Sequence, residues 1–218
     1  MNNTVTNTLE AGLSALHIPV SKKYTDILIQ YCELIESGNS YHSFVAASGH
    51  ELIIKHILDS LAPYSIFFKL IKENHYISIA DFGSGAGLPG IPLALTFPDI
   101  HCTLIDRMTK RINFLKSVVS QLDIRNVTVL ETQAEHCKGQ FDIITFRAFH
   151  QFEYKLFKKL FKLCTHNGII AGYKGKPDKA EAELTTIAEL IDSYTIVPLS
   201  VPFLNEARCL VLVKPKFF

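Results

Sequence analysis

The chain has 218 residues, 48% hydrophobic and 20% charged, which suits one globular domain with a modest extension and excludes a disordered chain. No apolar run approaches the roughly 20 residues that cross a bilayer, and Met1 to Glu10 lacks the basic start and apolar core of a signal peptide. The net charge of +1 is unevenly spread: residues 1–105 hold 5 Lys/Arg against 9 Asp/Glu, net −4, and residues 106–218 hold 17 against 12, net +5. The C-terminal half is therefore the better candidate for meeting a phosphate backbone.

In chain order, residues 9–36 and 50–62 read as helices, with Leu28, Tyr31, Cys32 and Ile35 at helical spacing in the first and Leu52, Ile53, His56, Ile57 and Leu61 in the second. A polar, glycine-containing link, 37–49, separates them, and Pro63 ends the second. These elements predict an N-terminal helical cap over residues 1–75, ahead of a core over 76–218, in one compact unit. His56 and Asp59 are weak site candidates; a core histidine and a local cap are their ordinary roles.

Residues 77–95 are the most informative stretch. Ile77, Ile79 and Phe82 form a short apolar run, Gly83, Gly85, Gly87 and Gly90 punctuate a turn, and Pro89 and Pro92 fit the first turn of a helix starting at about Leu88. Such a strand, glycine loop and helix aims free backbone N–H groups at a polar ligand. The Gly85-x-Gly87-x-x-Gly90 spacing also fits a dinucleotide loop. Asp81 at the strand's end would repel a pyrophosphate and attract a cation, which favours S-adenosylmethionine, and the loop lacks the Gly-Lys-Ser/Thr ending of a nucleoside triphosphate site.

A second strand, His101 to Asp106, ends in a carboxylate placed to accept ribose hydroxyls, with capping of the next helix as its alternative role. A helix follows to about Leu122, then strands Asn126 to Leu130 and Phe141 to Arg147, with Ala134 and Glu135 between them. Over Phe152 to Cys164, Lys155, Lys158, Lys159 and Lys162 form one face of a helix, solvated or in contact with RNA backbone. Asn167-Gly168 turns into a strand over Ile169 to Tyr173, ended by Lys174-Gly175; a helix over Asp178 to about Ser193 follows. The last strands, Thr195 to Pro202 and Cys209 to Lys214, lie too close in sequence for a parallel return and must pair antiparallel.

Alternating strands and helices predict an α/β fold: a mostly parallel sheet covered on both faces, with an antiparallel last strand. Such a sheet binds ligands at the C-terminal ends of its strands, where Gly83, Asp106, Ala134, Glu135 and Arg147 would gather. The five cysteines show no Cys-x-x-Cys pair and read as buried thiols of a reducing cytoplasm, and the nine histidines show no metal spacing.

Asp81-Phe-Gly-Ser-Gly-Ala-Gly-Leu-Pro-Gly-Ile-Pro-Leu-Ala resembles the glycine loop of the bacterial ribosomal RNA small subunit methyltransferase G family, also called glucose-inhibited division protein B. His56-Ile-Leu-Asp59-Ser60, Arg147-Ala-Phe149, Lys174-Gly175 and Arg208 resemble its further motifs in order, from about residue 25 onward. Residues 37–46 and Cys209 depart from the family pattern, and the chain has no Trp.

The resemblance implies a class I (Rossmann-like) S-adenosylmethionine-dependent methyltransferase fold of seven strands. It implies methylation at N7 of a guanine, position 527 in the 530 loop of 16S ribosomal RNA, by a cytoplasmic monomer meeting the 30S subunit or its assembly intermediate. Carried over by position, Gly83, Leu88, Ala134, Glu135 and Arg147 would contact the cofactor, beside Asp81, Gly85, Gly87 and Asp106 of the loop and second strand.

Guanine N7 carries no proton and can attack a methyl group without a general base. Catalysis would then rest on orientation, an effect that can supply roughly 7 to 11 kcal/mol. Arg147 or Lys174 is expected to steady the base or its phosphate. Methylation of another RNA or a small molecule, a dinucleotide-dependent oxidoreductase, and an RNA-binding module without activity are the competing readings.

Overall fold

Short runs of branched and aromatic residues form seven strands interspersed with helices. The computed structural model describes residues 3–42, 44–147 and 151–216. The strands are β1 Ser78–Phe82, β2 His101–Asp106, β3 Val127–Glu131, β4 Phe141–Arg147, β5 Cys164–Lys174, β6 Ile191–Leu199 and β7 Arg208–Pro215. They make one sheet in the order β3-β2-β1-β4-β5-β7-β6, with only β7 antiparallel to its neighbours. The α/β architecture and the antiparallel last strand are as expected.

Because β1 sits between β2 and β4, the connections leaving β1 and entering β4 run to opposite sides and open a crevice at the strands' C-terminal ends. Period-2 alternation sends Ile79, Leu104, Ile143 and Ala171 to one apolar layer and Ala80, Ile105, Ile144 and Ile170 to the other. The first layer is filled by α1 Asn3–Ala15, α2 Lys22–His42, α5 Tyr64–Asn74, α6 Gly90–Thr96 and α7 Thr109–Gln121; the second by α8 Tyr154–Lys162 and α9 Pro177–Leu184. No helix among the described residues is long and apolar enough to cross a membrane.

The expected helix over 9–36 is two helices. His17 takes a left-handed conformation (φ 57°) and Ile18 N–H returns to Leu13 O at 3.0 Å, the signature of a helix end ahead of Pro19. Ser21 Oγ then accepts Tyr24 N–H at 3.2 Å and starts α2, which runs past residue 36 into the expected link. The helix expected over 50–62 is found as α3 Gly49–Leu52, a π-helical turn Ile53–Leu58 and α4 Asp59–Leu61. Pro63 both ends that helix and opens α5, which the expected pattern lacked.

Near the C-terminus, Thr185 Oγ1 and Thr186 Oγ1 bond back to Ala182 O and Glu183 O. The expected long helix there becomes a 3-10 turn, Thr185–Leu190, and β6 starts at Ile191 rather than Thr195. Strand β5 also begins earlier, at Cys164, with a register shift against β4 that takes up Asn167 and Gly168. Ala148 and Phe149 of the Arg147-Ala-Phe149 motif lie outside the described residues.

Candidate active site

The turn after β1 is fastened to β2. Gly83 and Ser84 N–H both donate to Ile105 O, at 2.8 and 3.1 Å, and Ile105 N–H donates to Ser84 Oγ at 3.0 Å. Gly85 then sits in the left-handed region (φ 58°), where a Cβ would meet only Gly83 O, at 3.8 Å, so its backbone faces the crevice bare. The helix expected from Leu88 starts at Gly90, with Pro89 at its cap.

Gly90 is required by contact: a Cβ there would stand 2.2 Å from Leu104 Cδ2 and 2.7 Å from Asp81 Oδ2. Gly90 N–H instead donates to Asp81 Oδ2 at 3.0 Å. Asp81 is fully buried beneath the loop and borders neither of the two hollows at the turn; its Oδ1 has no hydrogen-bond partner among the described residues. Burial pushes its carboxyl up to about 7.

Two hollows meet at Gly83. The first, about 600 Å³, lies toward the cap and is bordered by Gly85, Leu88, His56, Arg147, Lys174 and Arg208 among others. The second, about 520 Å³, lies toward β2 and β3, where Asp106, Ala134, Glu135 and Leu156 border it. Both sizes suit a small-molecule site. Gly87 borders neither; it packs over Ile91 and Leu115 and shapes the loop from behind.

Both carboxylate oxygens of Asp106 are engaged within the protein. Its Oδ1 accepts Met108 N–H at 2.9 Å at the start of α7, while its Oδ2 accepts Gly85 N–H at 3.0 Å and Arg111 Nη1 at 3.2 Å. Arg111, which borders both hollows, was legible only as one charge of a helix. The aspartate thus locks the glycine turn and neutralises a cation at the junction.

The far wall of the first hollow is an ionic cluster built on the π-helical turn. Such a turn widens the backbone and frees carbonyls from the helical ladder. Here Lys55 O and His56 O accept Arg147 Nη1 at 3.3 and 3.4 Å, and Asp59 Oδ2 accepts the same nitrogen at 2.9 Å. Asp59 Oδ1 accepts Arg208 Nε at 3.0 Å, so one carboxylate clamps arginines from the end of β4 and the start of β7.

Arg147 Nη2 lies 3.0 Å from His56 Nδ1; a guanidinium only donates, so Nδ1 accepts and the ring proton sits on Nε2. Burial, and then the charge of Arg147, push His56 down to about 4, which keeps it neutral. Lys174 Nζ reaches Glu183 Oε2 at 2.5 Å and stands 4.3 Å from the Phe152 ring centre. It forms the floor beside the cluster rather than joining it. The sequence had singled out Arg147, with Asp59 and His56 as weaker candidates; Arg208 was marked only as part of a motif, because a lone arginine opening a strand carries no local signal.

Solved structures with the same architecture include methyltransferases and a spermidine synthase. A precorrin-6y C5,15-methyltransferase from Geobacter metallireducens aligns with a TM-score of 0.53 at 10% identity, over 70% of this chain and 88% of that one. A tRNA methyltransferase from Aquifex aeolicus aligns at 0.55 and 11%, over 72% and 70%. The fold is that of the class I, Rossmann-like methyltransferases.

The model for rRNA small subunit methyltransferase G matches residues 25–211. A ribosomal RNA small subunit methyltransferase G from Francisella tularensis is 36% identical over 95% of this chain and 96% of its own length. One from Colwellia psychrerythraea is 33% identical over 97% and 98%. The chain belongs to the rRNA small subunit methyltransferase G family.

Proposed function

We propose that this protein transfers a methyl group from S-adenosylmethionine to ribosomal RNA of the small subunit, at N7 of a guanine in the 530 loop of 16S RNA. The observation that carries the reading is the pair of hollows joined at a bare glycine turn, one bordered by Asp106, Ala134 and Glu135, the other walled by clamped arginines. The residues fit the cofactor. The buried Asp81 carboxyl, with one oxygen unpartnered among the described residues, suits a positively charged ligand above it. Gly83, Gly85 and Leu88 would border the methionine part, and Asp106, Ala134 and Glu135 the adenosine part.

When bound, the cofactor supplies an electrophilic methyl group on a sulfonium. The chain's own residues hold and orient. Asp59 is engaged by both arginines and His56 Nδ1 by Arg147, so neither is free to take a proton from a substrate. That favours a nucleophile with a ready lone pair, as guanine N7 has, and leaves orientation as the main source of rate. Arg147 and Arg208 would steady the base edge or its phosphate, with guanine O6 as the acceptor that stays available while N7 reacts. Lys174, held on Glu183, would fix the floor beside them.

The test is to incubate the protein with labelled cofactor and unmodified small subunits or their assembly intermediates, then map the product by chemical cleavage at N7-methylguanosine. Cleavage at a single guanine of the 530 loop is expected. Label on another atom or another molecule overturns the assignment.

A further inference from the structure

A third hollow, about 540 Å³, opens off the arginine-walled one and shares Lys174, Gly175 and Arg208 with it. Its other walls are the first turn of α9, with Lys176 and Lys179, and the segment Asn205–Ala207 ahead of β7. Of its charged groups, Glu183 is engaged by Lys174 at 2.5 Å and Glu206 by Arg208 at 2.9 Å, while Arg208 also holds Asp59 of the neighbouring hollow at 3.0 Å. Lys176 and Lys179 are exposed and make no ion pair among the described residues. The acidic side chains bordering it are each held by a cation, and two lysines remain at the start of α9. Asp178 lies on the same turn but does not border the hollow.

We propose that this hollow receives a backbone phosphate of the substrate RNA next to the nucleotide being methylated, with Lys176 and Lys179 as its charge contacts. The inference rests on the RNA reading above and adds a direction to it: the strand leaves the methyl-transfer crevice across the start of α9 rather than over β3. Two exposed lysines give positive charge without reading bases, which is what a contact that sets register requires. The family resemblance had marked Lys174-Gly175 but nothing beyond it on this turn.

The test compares wild type, Lys176→Ala/Lys179→Ala and Lys176→Arg/Lys179→Arg, measuring KM for the unmodified RNA substrate at several salt concentrations and S-adenosylmethionine affinity by calorimetry. The alanine pair should raise the RNA KM about tenfold at physiological salt and flatten the dependence of log KM on log salt by roughly 1. Cofactor affinity and melting temperature should stay unchanged, and the arginine pair should behave as wild type. An unchanged KM and salt slope in the alanine pair, or a KM raised equally at every salt concentration, overturns the phosphate site while wild-type activity leaves the methyltransferase reading standing. A wild-type protein that methylates no RNA overturns both.

Discussion

Arg147 and Asp81 are both charged residues at strand ends, yet they meet opposite surroundings. Arg147 is 16% exposed and its partner Asp59 6%, with the cap's carbonyls closing over the guanidinium. Arg147→Ala leaves His56 Nδ1 without its donor and removes the guanidinium from Lys55 O, His56 O and Asp59; the expected loss is about 2 kcal/mol of stability in denaturant unfolding, with a larger fall in methyl transfer at subsaturating cofactor. Unchanged turnover would remove Arg147 from the site. Asp81 makes no ion pair among the described residues, and burial raises its carboxyl from 3.8 to about 7. The folded protein therefore holds this proton more tightly than the unfolded chain, and the stability it contributes declines as pH rises from about 4 to about 7. A cationic ligand prefers the ionised form, so S-adenosylmethionine affinity should climb through the same range. Asp81→Asn keeps an acceptor for Gly90 N–H and should flatten both trends, read from melting temperatures and binding titrations between pH 5 and pH 8.

At the scale of single elements, the β1 loop and α6 are locked by the close approach of Gly90 to Leu104 and Asp81. Gly90→Ala should force them apart and lower stability by about 1 to 3 kcal/mol, checked by the denaturation midpoint, with cofactor affinity falling in parallel. This element was readable in advance because glycine spacing, Asp81 and the prolines each report local backbone chemistry. So were β2 and β4, whose apolar runs end in a charged residue at the crevice. The boundaries that escaped were set by less local causes. The break at His17 rests on a left-handed residue and a returning N–H, and α5 follows a proline that looked like a stop. The π-helical turn leaves no mark in residue spacing, since Ile53, Ile57 and Leu61 fit an ordinary helix equally well. Yet it is this turn that presents carbonyls to Arg147, so part of the site was legible as residues and illegible as geometry.

Across the whole molecule, the helices before β1 and the sheet share one apolar layer, and polar contacts stitch them at the site. Tyr173 in β5 donates to Ser60 O at 2.7 Å, Arg208 reaches Asp59, and Tyr31 in α2 donates to Ala86 O at 2.9 Å. The last contact bears on binding. The glycine turn is held from one side by Asp106 through Gly85 N–H and from the other by Tyr31 through the next carbonyl, so its shape depends on the cap as much as on β2. Tyr31 is fully buried and burial raises its phenol well above the usual range, which keeps it a donor at any working pH. Tyr31→Phe preserves the ring and strands the carbonyl, which costs about 1 to 3 kcal/mol of stability. If the cap supports the loop, the variant should also bind S-adenosylmethionine several-fold more weakly, and saturating cofactor should recover part of the lost melting temperature. A variant that melts earlier but binds the cofactor as tightly as wild type would mean that the cap only packs against the loop, and that β2 alone holds the turn in its binding conformation.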